Sequence, residues 1–176
     1  MKYNKPFFLN ILLTITILTF SSFSLNEPNS DAEIKWLSFE EAVKLQKEHP
    51  KKIIVDVYTD WCGWCKKMDK NTYTDAEVIK QIQSHYYFVK LNAEQKEEIK
   101  YKDKVFTFKQ EYKANELAVS LLNGQMSYPS TVFLDEDMNL LTVVPGYLTP
   151  KDMNPILKYF GENIYKEKNW KEYTGQ

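Results

Sequence analysis

Arginine is absent from this chain of 176 residues: all 23 basic residues are lysine, set against 24 acidic ones for a formal net charge of -1. That removes the bidentate guanidinium reader of phosphate, and the balanced charge lacks the electrostatic footprint of a nucleic-acid binder. Histidine is scarce as well. His49 and His85 each sit at the expected end of a helix, where a cation suits the dipole. A tetrahedral zinc site wants four nitrogen or sulfur ligands, and two histidines without ligand-like spacing do not complete one, so no metal is expected. Cysteine is limited to two residues, Cys62 and Cys65, and apolar runs long enough to suggest a membrane are confined to the N-terminus.

That N-terminus has the order of an export signal. Lys2 and Lys5 are followed by a mostly apolar stretch from Phe7 to Phe20 and a small-x-small cleavage site at Ser22-Phe23-Ser24. As a helix the apolar stretch spans about 21 Å, short of the roughly 30 Å hydrocarbon core, so cleavage after residue 24 is expected and an uncleaved anchor is the alternative. Residues 25–33 then form a polar linker. With 43% apolar and 15% aromatic residues, the remainder suits one domain with a substantial core.

What the chain does have is concentrated in Ile53–Met68, IIVDVYTDWCGWCKKM, where a β-branched run leads directly into the only two cysteines. If a helix begins at Cys62, both thiols project from one side of its first turn and can form a disulfide locally. The free N–H groups and dipole at that end stabilise a thiolate, the reactive species in disulfide exchange. A purely structural bridge explains the pair poorly, because it would enclose only Gly63 and Trp64 and its entropic gain grows with loop length. The spacing therefore points to redox chemistry.

The rest of the chain supplies a frame. A short strand is expected at Ile34–Trp36, then a helix capped by Ser38 with Glu41 and ending near His49-Pro50. The run Ile53–Tyr58 suits a strand buried on both faces. A helix from the cysteines should break at Asn71–Tyr73, and a second, capped by Thr74 with Glu77, should bury Val78, Ile79 and Ile82. Tyr86–Leu91 is the next strand, giving the β-α-β-α-β order of a largely parallel α/β sheet. An insertion at about 93–112 contains a small hairpin around Asp103-Lys104. A helix at Asn115–Asn123, stopped by Gly124, precedes an antiparallel pair at Ser130–Leu134 and Leu140–Val144. Thr149 and Pro150 open a last helix reaching about Phe160, and residues 161–176 read as a polar tail with aromatic anchors.

Over Ile34–Phe160 the chain resembles the thioredoxin superfamily, in particular exported thioredoxin-like proteins with a Cys-Gly-Trp-Cys site. Beyond the cysteines the resemblance rests on Asp56 in the first long strand, Lys90 in FVKLN, Pro129 in MSYPSTVFL and Gly146 in VVPGY. It implies a thioredoxin-like fold, a mixed central sheet flanked by helices, with Pro129 as the cis-proline. It also implies Cys62 as a partly exposed nucleophile and Cys65, one turn deeper, as the resolving thiol. Asp56, desolvated in a covered sheet beside Lys90, would move the Cys65 proton. Trp61, Gly63 and Trp64 would form a rim for protein substrates, and the backbone at Tyr128 beside Pro129 would pair with an extended segment. The cysteine pair carries two electrons and calls for no bound cofactor.

The expected function is an extracytoplasmic or periplasmic thiol-disulfide oxidoreductase, a monomer that reduces protein disulfides and draws electrons from a membrane electron-transfer partner. One feature leaves the direction open: Gly-Trp stands where thioredoxins have Gly-Pro, so oxidase or isomerase action is the alternative within the class. A binding or chaperone module with a passive cysteine clip is the alternative outside it.

Overall fold

Seven consecutive residues of β2 (Lys52–Tyr58) lie in the centre of a five-stranded sheet, and six of them are buried. The computed structural model describes residues 1–2 and 33–175, so the export signal expected at 1–24 and nearly all of the linker lie outside the described residues. Strand order is β1-β3-β2-β8-β9, with β1 at Trp36–Leu37, β3 at Tyr86–Asn92, β8 at Ser130–Leu134 and β9 at Leu140–Pro145. The first three strands run parallel, while β8 and β9 are antiparallel to their neighbours, giving a mixed sheet.

Alternation along β2 divides the interior. Ile53, Val55 and Val57 pack beneath Phe39 and Ala42 of α1 (Phe39–Glu48) and Leu117 and Ala118 of α4 (Glu116–Leu121). Ile54, with Phe88 and Phe133, packs against the other layer: Met68 of α2 (Gly63–Asn71), Val78 and Ile82 of α3 (Ala76–His85), and Met153 and Leu157 of α5 (Pro150–Gly161). Each such side chain contributes about 1.5–3 kcal/mol through burial, so both faces favour the same strand register. Asp56 lies on the second face, the only charged residue of β2 apart from Lys52 at its start.

The capping boxes at Ser38/Glu41 and at the start of α5, Thr149 with Asp152, are both formed. The cap of α3 differs from expectation. Asp75, not Thr74, accepts the N–H groups of Glu77 and Val78, because its carboxylate reaches them directly while the Thr74 hydroxyl donates to the Lys70 carbonyl behind it. The first strand is also displaced, with Ile34 buried but outside the ladder. Asn115, expected inside α4, is its N-cap and accepts the Leu117 N–H.

The inserted stretch contains the expected hairpin, β4 (Ile99–Tyr101) with β5 (Lys104–Phe106), and a second small ribbon, β6 (Phe108–Lys109) with β7 (Ala114–Asn115). It packs against α1: Ile99 and Phe106 are buried, Tyr101 meets Phe39 edge-on, and the Lys100 N–H donates to Glu40. The C-terminal stretch folds back through a 3-10 turn (Ile164–Lys166) and α6 (Trp170–Thr174), and Trp170 and Tyr173 pack on Tyr159. Gly161 permits this close approach of α5 to α3, since a Cβ there would lie 3.0 Å from His85. Among the described residues no helix is long and apolar enough to cross a membrane.

Candidate active site

A short loop after β2 delivers Cys62 to the N-cap of α2, where its sulfur accepts the Cys65 N–H at 3.1 Å. The two cysteines form a disulfide with an S–S distance of 2.06 Å. Cys62 is less exposed than its place at a helix start suggested. Only 5% of its surface is accessible, against 2% for Cys65, because its sulfur is bonded to Cys65 and tucked under the first turn. Gly63 beside it is open, with no atom within 4 Å of where a Cβ would stand.

Below the helix, Asp56 and Lys90 are register partners in the β2–β3 ladder, and the Lys90 ammonium donates to Asp56 Oδ2 at 2.7 Å. Burial pushes the Asp56 carboxyl above its ordinary range, and the Lys90 charge opposes that only in part. Lys90 also binds Asp69 of α2 and lies over the rings of Trp36 and Tyr58. Asp69 falls four residues after Cys65, one turn along the same helical stripe, so Cys65 shares a face of α2 with a member of this charged cluster. That spacing was a usable signal for Asp69. None existed for Tyr73, which follows the helix end yet is buried on the Asp56 face.

Around the disulfide stands an aromatic rim. Trp61 and Trp64 are 67% and 57% exposed. Trp61 meets Tyr128 edge-on at 6.0 Å and donates from Nε1 to Glu94, the point where the inserted stretch touches the site. Trp64 meets Tyr147, with the Lys67 ammonium over both rings. Tyr147, Glu94 and the placement of Lys67 over two rings carried no sequence signal. The Tyr128–Pro129 peptide is cis, and among the described residues the Tyr128 backbone makes no hydrogen bond to other backbone. Gly146 at φ +93° follows β9 and donates to the Pro129 carbonyl. Among the described residues no three His, Cys, Asp or Glu side chains converge as a metal site would.

The thioredoxin-like domain family matches residues 39–161. The chain belongs to that family. Its thioredoxin-like α/β fold is also that of DsbH oxidoreductase, with a TM-score of 0.57 at 19% identity over 80% of this chain and 92% of that one. A thioredoxin from Thermus thermophilus gives 0.57 at 15% identity, over 73% and 87%. At such identities the likeness shows the fold, which here carries a Cys-x-x-Cys pair. Among curated proteins, the thiol:disulfide interchange protein DsbD of Yersinia enterocolitica is 29% identical over 77 residues, 40% of this chain and 13% of that protein. DsbD of Haemophilus ducreyi is 44% identical over 39 residues, 22% of this chain and 7% of that protein. The match thus spans a small fraction of these relatives.

Proposed function

We propose that the chain is a thiol-disulfide oxidoreductase acting outside the cytoplasm, and that it reduces disulfides of other proteins. One observation carries this reading: a Cys62–Cys65 disulfide at the start of α2, the helix whose Asp69 shares Lys90 with a buried Asp56. In the reduced protein the Cys62 thiolate attacks one sulfur of a partner disulfide, forming a mixed disulfide and releasing one partner thiolate. Asp56 accepts the Cys65 proton; the Cys65 thiolate attacks Cys62 Sγ and frees the second partner thiol. Two electrons have moved, and the Cys62–Cys65 disulfide is the product. A membrane electron-transfer protein restores the dithiol by the same exchange in reverse.

Trp61, Trp64 and the free backbone of Tyr128 supply the docking face, an apolar rim beside an edge able to pair with an extended segment. The export pattern of residues 1–24 supports the compartment, and the Asp56–Lys90 pair supports the reducing direction. The thiol:disulfide interchange named in the DsbD relatives supports the chemistry. Oxidase or isomerase action is the second reading, favoured by Trp64 between the cysteines.

Two experiments test the proposal. A Cys65→Ala protein should trap mixed disulfides with partner proteins, and the wild type should accelerate insulin reduction by dithiothreitol. Failure of both leaves a non-catalytic binding or chaperone module. A reduction potential near about -270 mV fits the reductase, whereas one near about -120 mV marks an oxidant.

A further inference from the structure

Asp56 Oδ1, the Tyr73 hydroxyl and Thr131 Oγ1 are buried and lie close enough to influence one another, yet none has a hydrogen bond of good geometry among the described residues. Folded proteins leave few such atoms unsatisfied, and an unpaired oxygen of a buried acid with two more beside it is not accounted for by packing alone. Thr131 stands directly opposite Asp56 in the β2–β8 ladder, so both side chains rise from the same face of the sheet. Tyr73 is 3% exposed, with its ring 4.8 Å from that of Phe88 and the Lys90 ammonium 5.7 Å from its centre. The same ammonium holds Asp56 Oδ2, which leaves Oδ1 as the open side of the carboxyl.

We propose that Tyr73 is a positioning residue for dithiol exchange: its hydroxyl, steadied by Thr131, donates to Asp56 Oδ1 and holds the carboxyl in place for the Cys65 proton. The inference rests on the exchange chemistry proposed above and deepens it. Burial, reinforced by the Asp56 charge, keeps the Tyr73 phenol well above its ordinary value, so it remains a donor throughout the working range. Asp56 is raised by burial first; Lys90 opposes this, Asp69 adds to it, and the Tyr73 hydroxyl draws it down. Tyr58, on the same strand, feels the Asp56 charge, and β8 contributes the neutral Thr131. A donor on the ionised carboxylate favours that form, which is the form able to accept a proton.

The test compares the pH profile of disulfide reduction for wild type, Tyr73→Phe, Asp56→Asn and the double variant. Tyr73→Phe should move the acid limb to higher pH, slow exchange about tenfold on that limb, and recover as pH rises. Adding Tyr73→Phe to Asp56→Asn should change nothing further. If the wild type shows no exchange, the parent reading fails. If the wild type is active and the Tyr73→Phe profile superimposes on it, this inference fails alone. A structural tyrosine would lower the melting temperature without moving the limb. Should Tyr73→Phe prove too unstable to assay, the Asp56 carboxyl is titrated by carbon-13 NMR in Thr131→Val. A rise supports the cluster, and an unchanged titration overturns it.

Discussion

Two lysine–carboxylate pairs stand on the central strands, and they behave oppositely. At the start of β2, Lys52 donates to Glu136 at 2.6 Å and to Asn163 at 2.9 Å, with the Tyr165 ring 5.9 Å away. Lys90 donates to Asp56 at the similar distance of 2.7 Å. Burial pushes both acids upward and is the largest single influence on each. At Glu136 the Lys52 hydrogen bond, a backbone N–H and the charges of Lys52 and Lys166 together outweigh it and the carboxyl lies below its ordinary value, whereas at Asp56 burial wins. The difference is depth: Glu136 keeps 36% of its side-chain surface in water and Asp56 keeps 1%. A lysine at hydrogen-bonding distance therefore does not by itself make a structural ion pair. Where the acid is fully desolvated, burial outweighs the lysine and the carboxyl is held above its ordinary range, as at Asp56.

The largest break between the two pairs is expected in activity. Asp56→Asn should slow disulfide reduction about 100-fold at neutral pH, the usual scale of lost proton transfer, with the fold intact by circular dichroism. Lys52→Met should leave the rate per folded molecule unchanged. It should instead cost about 1–3 kcal/mol in urea unfolding, through the lost bonds to Glu136 and Asn163. The pairs should also differ in the sign of their pH dependence. Asp56 is raised from an ordinary 3.8, so the stability it contributes is complete below that value and lost as pH rises through the folded one. Glu136 is lowered from 4.5, so its contribution is present above that value and lost as pH falls. Unfolding curves across pH should therefore show Asp56→Asn gaining on wild type as pH rises. The smallest effect is expected from Asp69→Asn, because Asp69 is partly exposed and screened. Its charge raises Asp56, so removing it should move the acid limb of exchange slightly to lower pH.

Local signals made much of this legible in the sequence. Ser38 with Glu41, Thr149 with Pro150, the β-branched run Ile53–Tyr58 and the pair Cys62–Cys65 each act within one turn or one strand, and each element formed where expected. The resemblance added Asp56, Lys90 and Pro129 as residues to look for. What stayed hidden depends on contacts between distant segments. Tyr73 and Thr131 meet Asp56 only once α2 and β8 pack on β2, and Tyr147 meets Trp64 only across the end of β9. The fold of residues 161–175 was hidden for the same reason, because its polar composition conceals the Tyr159 cluster that holds it. The cap of α3 was missed by one residue, since Thr74 and Asp75 are both competent caps and only the preceding turn of α2 decides between them.

The most direct test is a carbon-13 NMR titration of the aspartate and glutamate carboxyls in the oxidised and reduced protein. Asp56 is expected to titrate above the ordinary 3.8 and to move when the Cys62–Cys65 bond is reduced, while Glu136 titrates below 4.5 and does not respond. An Asp56 that titrates at or below 3.8 and ignores reduction would be a structural ion pair, and its role as the proton carrier for Cys65 would be contradicted.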